Sequence, residues 1–210
     1  MSSCLLTTAC LPPCEYFVVM LQSTEVVIEQ WEHYGRQSYR NRYRIAGPNR
    51  IQDLSIPVEK PGGAKVFSRD VMISRAENWQ RLHWYSITAA YNKSPYFLYY
   101  QDDLKPFYQN SFRFLLDYNT ALLQLLMKWL KITTDINFTN EYQAFPGIPD
   151  FRDRIHPKKP ASLTMPPYHQ VFAGKSGFIT GLSIIDLVFN LGPESHAYLK
   201  AFNFLSLFGE

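Results

Sequence analysis

Gly177 to Gly192 reads Gly-Phe-Ile-Thr-Gly-Leu-Ser-Ile-Ile-Asp-Leu-Val-Phe-Asn-Leu-Gly, an apolar run with an acid and an amide inside it. As a helix starting near Leu182, it carries Ser183, Asp186 and Asn190 at i, i+3 and i+7 on one face. An ionised carboxylate in such a setting is costly unless it is paired or hydrogen-bonded, so a protein group or a ligand must answer it.

Other groupings have chemical potential too. Trp79, His83 and Tyr91 stand at i, i+4 and i+12 of a helical segment, where His83 has the chemistry of a general base and the rings could stack on a ligand. Read as an extended strand, Ser38 to Ile45 puts Arg40, Arg42 and Arg44 on one face and Tyr39, Asn41, Tyr43 and Ile45 on the other. Such an arginine stripe suits phosphate or carboxylate, and equally pairs with Glu25, Glu29 and Glu32. Asn119 lies among leucines and must have its amide satisfied, with Asp186 or Asn190 as candidate partners. Asp150 to Lys159 concentrates charge, including Arg152 and Lys158, in a form that could fold over an anionic ligand or simply be solvated. Cys14 follows Pro12-Pro13 at an expected helix start, where a helix dipole would lower a thiol pKa. Each of these residues also fits a plain structural role.

The elements that must position them follow from periodicity. Leu5 to Ala9 reads as a buried strand, Glu15 to Gln22 as a helix after the proline turn, and Glu25 to Gln30 as a second strand. Strand, helix and strand within some thirty residues form a βαβ unit and hence a parallel sheet. Ligand sites are expected beyond its strands' carboxyl ends, here Cys10 to Pro13 and Trp31 to Arg36. Asp53 to Val58 is a partner for the Ser38–Ile45 strand, and Lys60 to Lys65, with Pro61-Gly62-Gly63, is a loop. Helices are expected at about 78–91, 95–109 and 111–131, and a short returning strand over Ile132 to Phe138. From about 140 to 167 the prolines Pro146, Pro149, Pro157, Pro160, Pro166 and Pro167 predict a long irregular excursion. The fold class is therefore α/β: a small parallel or mixed sheet, starting with a βαβ unit, packed against α-helices in one domain over 1–210.

Composition narrows the function. The 210 residues are 46% hydrophobic, with 14 Tyr, 15 Phe and 4 Trp, enough for one sizeable core with aromatic walls. A net charge of +3 is too small for a general nucleic-acid binder, and the expected partner is an anionic small molecule. Met1 to Pro13 lacks a signal-peptide pattern, and Phe112 to Leu130 holds too many polar groups to span a bilayer, so a cytoplasmic protein is expected. Cys4, Cys10 and Cys14 have no second ligand cluster, so no metal is expected. There is no Walker A, no Gly-x-Gly-x-x-Gly, no Gly-x-Ser-x-Gly and no His-Glu-x-x-His, and no cofactor is expected.

The chain resembles the WbqC-like family, in a short variant. The resemblance rests on Leu11-Pro12-Pro13 with Tyr16-Phe17, on Arg40-Asn41-Arg42 before Ile45, and on Leu54-Ser-Ile-Pro-Val58. It continues through Trp79, His83, Tyr91, Ser94-Pro95-Tyr96-Phe97, Asn119, Tyr168-His-Gln-Val-Phe172 and Leu182 to Asn190 with Gly192. It implies a cytoplasmic bacterial protein of surface-polysaccharide (O-antigen) biosynthesis. The implied activity transfers an aminoacyl group such as glycine, or another acyl group, to a sugar or nucleotide-linked sugar. His83 and Asp186 would then be catalytic, and Tyr16, Asn41, Arg42, Trp79, Tyr91, Asn119, Arg152, Lys158 and Asn190 would bind ligand. Two departures stand out: many members open with Gln-Pro-x-Tyr-x-Pro and close with Asn-Glu-Gly, where this chain has Ala9-Cys10-Leu11-Pro12-Pro13 and Asn190-Leu191-Gly192. Two other readings stay open: a Rossmann-like nucleotidyl transferase relative, and a non-catalytic binding or scaffold protein.

Overall fold

The apolar Cys4–Thr7 segment forms strand β1, buried along its length as expected for a strand covered on both faces. Pro13 is the extended residue that starts helix α1 (Cys14–Gln22), and Ser23 ends it by donating its hydroxyl to Val19 O at 2.8 Å. Strand β2 (Glu25–Glu29) follows and pairs parallel with β1, Cys4 against Val26. The computed structural model describes residues 3–59, 65–144, 147–161 and 163–202. The expected Pro61-Gly62-Gly63 loop and Pro146 lie outside them.

The arginine stripe does not form as one strand. Strand β3 is only Arg42–Ile45, antiparallel to β4 (Gln52–Ser55), with Arg42 opposite Ser55 and Arg44 opposite Asp53. Residues 36–41 turn instead. Arg40 is thereby carried off the arginine face and buried against Glu32, 2.6 Å away. Within β3 the expected alternation holds, since Tyr43 and Ile45 are buried while Arg42 and Arg44 are half-exposed.

Helices α2 (Trp79–Tyr91), α3 (Phe97–Leu104) and α4 (Leu115–Leu130) come next. After α3 the chain tightens into a 3-10 turn over Lys105–Tyr108 with Pro106 in its first turn, because proline cannot continue an α-helical ladder. Helix α4 starts at Leu115 rather than Ser111, since Phe114 is extended and Leu115 N bonds to Val71 O. Lys131 closes it in the left-handed region, φ 52°. Strand β5 (Asp135–Phe138) then pairs parallel with β2, so the sheet runs β1-β2-β5 with every pairing parallel.

The described residues from 140 to 161 form neither helix nor strand, yet they are tied down. Leu5 N bonds to Pro149 O and Phe151 N to Leu5 O, both at 2.9 Å, so Asp150 runs parallel to β1 and fixes Arg152 beside the sheet. Helices α5 (Ala173–Ser176), α6 (Ile184–Leu191) and α7 (Ser195–Lys200) complete the fold. Ser183 caps α6 by accepting from Ile185 N, which moves the helix start two residues past Leu182. Gly192 ends it at φ 55°, where a Cβ would come within 2.5 Å of the Tyr96 ring. The buried apolar side chains of β1, α1, α4 and α6, with Phe17, Leu126 and Phe189 among them, form one continuous core. Among the described residues, no helix is long and apolar enough to cross a membrane.

Candidate ligand-binding site

Two cavities meet at His33: one opens beyond the carboxyl end of β2, where a parallel α/β sheet leaves its crevice, and the other at the open end of the β3–β4 pair. Glu29, fully buried at the end of β2, lies behind the wall of the larger one. Its Oε1 accepts from Trp31 N at 2.6 Å and Thr139 Oγ1 at 2.9 Å, and its Oε2 faces Arg152 Nη1 at 3.4 Å. The Trp31 indole and the Gln30 amide both donate to Thr139 O, stitching the exit of β2 to that of β5.

The larger cavity, about 620 Å³, is lined by Trp31, Arg40, Phe67, Tyr142, Arg152 and His156 among others. His33 stacks on Phe67, centroids 5.1 Å apart and planes 7° from parallel, and Phe67 meets Trp31 edge-on. Arg152 donates to Asp150 through Nε at 3.0 Å and Nη2 at 2.6 Å. Burial pushes the Asp150 carboxyl up, but these bonds and the guanidinium charge outweigh it and hold the acid below its ordinary range. Glu32 goes the other way: burial raises it more than Arg40 lowers it. The His156 ring is pushed down by burial, then by Arg40, Lys158 and Lys159, which keeps it a neutral imidazole at pH 7.

The second cavity, about 500 Å³, has Arg36, Asn41, Arg42, Ser55, Glu59 and Lys65 in its wall. Arg42 Nε donates to the neutral Ser55 hydroxyl at 3.1 Å. Among the described residues, no carboxylate lies within ion-pair distance of Arg36, Arg42 or Lys65. Gln37, in the same wall, holds a left-handed φ of 57°, unusual for a non-glycine residue. His33 lines both cavities.

The other sequence candidates sit in the interior. Asp186 is fully buried and is answered by Tyr168 Oη at 2.7 Å and Gln170 Nε2 at 2.9 Å, both on Oδ2, and not by Asn119 as anticipated. Burial raises its pKa against these bonds and the nearby Tyr91 hydroxyl, while Oδ1 accepts no hydrogen bond of good geometry. Asn190 Nδ2 turns back to Asp186 O. Asn119 donates to Thr8 Oγ1 and Arg40 O, and Tyr16 to Thr7 O. His83 is 5% exposed, with the Tyr43 hydroxyl 3.0 Å from Nδ1 and the Ser55 backbone as a second partner, and burial pushes its pKa down to about 4. Trp79 packs edge-on against His83 and Tyr118, and Tyr91 against Phe189. Lys158 is exposed and lines neither cavity.

Burial also pushes the Cys14 thiol up, with Asp186 and Glu15 adding to the rise, opposite to the lowering expected from a helix start. Arg40, Asn41, Arg42 and Arg152 are thus the sequence candidates that line the two cavities. His33, Arg36, Lys65 and Tyr142 were missed, although the strand-end rule had pointed to Trp31–Arg36. Among the described residues, no group of three or more His, Cys, Asp or Glu is placed to hold a metal ion.

Comparison with known proteins agrees with the motifs. An uncharacterized protein of Mycobacterium tuberculosis, Rv1507c, is 25% identical over 214 positions, covering 88% of this chain and 91% of its own length. No solved structure matches the chain. The WbqC-like protein family model matches residues 8–155, a span that includes Trp31–Arg42, Tyr142 and Arg152 and stops before Asp186. By that match, over well more than half of its length, the chain belongs to the WbqC-like protein family.

Proposed function

We propose that the protein is a transferase that places an acyl or aminoacyl group on a nucleotide-linked sugar in surface-polysaccharide synthesis, with the double cleft as its site. One observation carries this reading: a cationic cavity without carboxylate partners adjoins an aromatic, histidine-lined one, and both share His33. Arg36, Arg42 and Lys65 hold the diphosphate, as guanidinium forks and an ammonium do. Trp31, Phe67 and Tyr142 present flat faces to the sugar. His33, at the junction, takes the proton of the attacking sugar hydroxyl or amine.

On this reading His83 and Asp186 hold the fold and do not touch substrate. His83, with its pKa near 4, is protonated too weakly and enclosed too completely to relay protons to a ligand. Arg152 serves by holding the wall, locked between Asp150 and Glu29.

Calorimetry with UDP-sugars tests the binding half: the reading expects binding that Arg36→Ala and Arg42→Ala each weaken about tenfold, and no binding would overturn it. For the transfer half, mass spectrometry after incubation with acyl-CoA or aminoacyl-tRNA should show the nucleotide sugar heavier by one acyl group. Binding without any mass change with either donor would instead favour a non-catalytic member of the family.

A further inference from the structure

The two edges of the β1-β2-β5 sheet are finished differently. The outer edge of β1 is taken up by the chain itself, since Leu5 N bonds to Pro149 O and Phe151 N to Leu5 O. Strand β5 pairs with β2 on one side, and among the described residues no backbone segment pairs with its other side. Asp135, Asn137 and Phe138 are exposed, Phe138 at 37%, and Ile136 is half-buried. Apart from its shortness, this edge has none of the devices that usually guard one: no proline, lysine or bulge interrupts Asp135–Phe138.

The parallel ladder fixes which groups are open. Thr139 N bonds to Ile28 O at 3.0 Å, so Asp135, Asn137 and Thr139 turn their backbone groups toward β2, while Ile136 and Phe138 turn theirs outward. Two outward residues flanking Asn137 make a self-complementary pattern. A two-fold axis through Asn137, perpendicular to the sheet, lays a second β5 antiparallel to the first, with Ile136 opposite Phe138 of the copy and Phe138 opposite its Ile136. Each is a hydrogen-bonded pair that exchanges two bonds, so every outward N–H and C=O is satisfied.

The side chains fit the same register. Ile136 and Phe138, which line a crevice with Thr120 and Leu123 of α4, meet as β-branched–aromatic pairs across the junction. Asn137 faces its own copy. Its Nδ2 spends one N–H on Glu25 Oε1 at 2.6 Å, which leaves the other N–H and Oδ1 to exchange bonds with the second amide. Asp135 comes opposite Thr139, so no like charges are opposed. An unrelated strand could satisfy the backbone groups, but only a second copy supplies this reciprocity.

We propose that the open edge of β5 is a homodimer contact that joins two three-stranded sheets into one continuous sheet. So short a strand buries less than the roughly 800 Å² per partner of a stable dimer, so the association is weak and concentration-dependent.

Sedimentation velocity on the full chain should show monomer at about 1 μM and dimer by about 100 μM. Phe138→Pro deletes one outward N–H and leaves the ladder to β2 intact, and it should raise the dimer Kd more than about tenfold. In an antiparallel pair the Cα atoms at position 137 would stand about 4.5 Å apart, within reach of a disulfide. Mild oxidation should therefore link Asn137→Cys into a covalent dimer through that position, whereas Arg81→Cys, exposed on α2, should not be linked. The native cysteines are buried and do not compete. A wild type that stays monomeric throughout this range would overturn the proposal and leave the edge to a different chain. A dimer that survives Phe138→Pro, or that forms without linkage at position 137, would overturn it too, because the contact would lie on another face. The linkage result decides the matter alone if Phe138→Pro fails to fold.

Discussion

The interior around Asp186 and the cleft at the ends of β2 and β5 are both rich in polar side chains, but those side chains are satisfied in different ways. In the interior most of these groups answer one another: Tyr168 and Gln170 hold Asp186 through Oδ2, Tyr43 holds His83, and Thr8 and the Arg40 carbonyl hold the Asn119 amide nitrogen, while Asp186 Oδ1, Asn119 Oδ1 and Asn190 Oδ1 accept no hydrogen bond. In the cleft, Arg36, Lys65 and Asp153 face open volume with no ion-pair partner among the described residues. On the proposed function, the polar residues of the apolar runs serve stability and the unpaired charges near the strand ends serve the ligand.

The contrast breaks most visibly at Asp186. Removing it strips the half-buried Tyr168 hydroxyl and the buried Gln170 amide of their shared acceptor, so Asp186→Ala should cost about 3 kcal/mol in urea unfolding. Nucleotide-sugar affinity of the folded fraction should stay unchanged. A stable variant that has lost ligand would move the site to α6.

The His83 pKa gives the next effect, with a definite sign. Its folded value near 4 lies below the ordinary 6.5, so the neutral ring favours folding fully above pH 6.5, and that contribution is lost as pH falls toward 4. About 3 kcal/mol should disappear over this window, and His83→Gln should remove that part of the pH dependence of denaturant unfolding. A slope unchanged in the variant would mean that His83 is solvated.

Arg36→Ala should show the reverse pattern from Asp186→Ala. Its stability should stay within about 0.5 kcal/mol of wild type while UDP-sugar affinity falls about tenfold. Lys158→Ala should be the smallest change, with both quantities unaltered, because the side chain is exposed outside both cavities.

The β1-α1-β2 unit was legible because its apolar runs and the Pro12-Pro13 break are local signals, and the crevice rule then named the segment that lines both cavities. For the site, the sequence places polar residues in apolar runs but carries no sign of which of them have protein partners. Tyr168 and Gln170, which answer Asp186, come from a proline-rich stretch with no periodicity, so nothing in the sequence placed them near α6. Arg40 looked equivalent to Arg42 and Arg44 by spacing. Its departure comes from the turn over 36–41 and from Glu32, and Cα periodicity carries no trace of either. Likewise Arg152 has the sequence setting of a lid charge, but the pairing of Leu5 with the backbone around Asp150 fixes it beside the sheet.

Hydrogen–deuterium exchange with and without a saturating UDP-sugar is the most direct test of the claim that ligand binds at the sheet's carboxyl edge. The account predicts added protection confined to peptides covering residues 31–42 and 65–67, with residues 163–191 unchanged. Protection centred on Tyr168, Gln170 and the start of α6 would contradict it and return the site to Asp186.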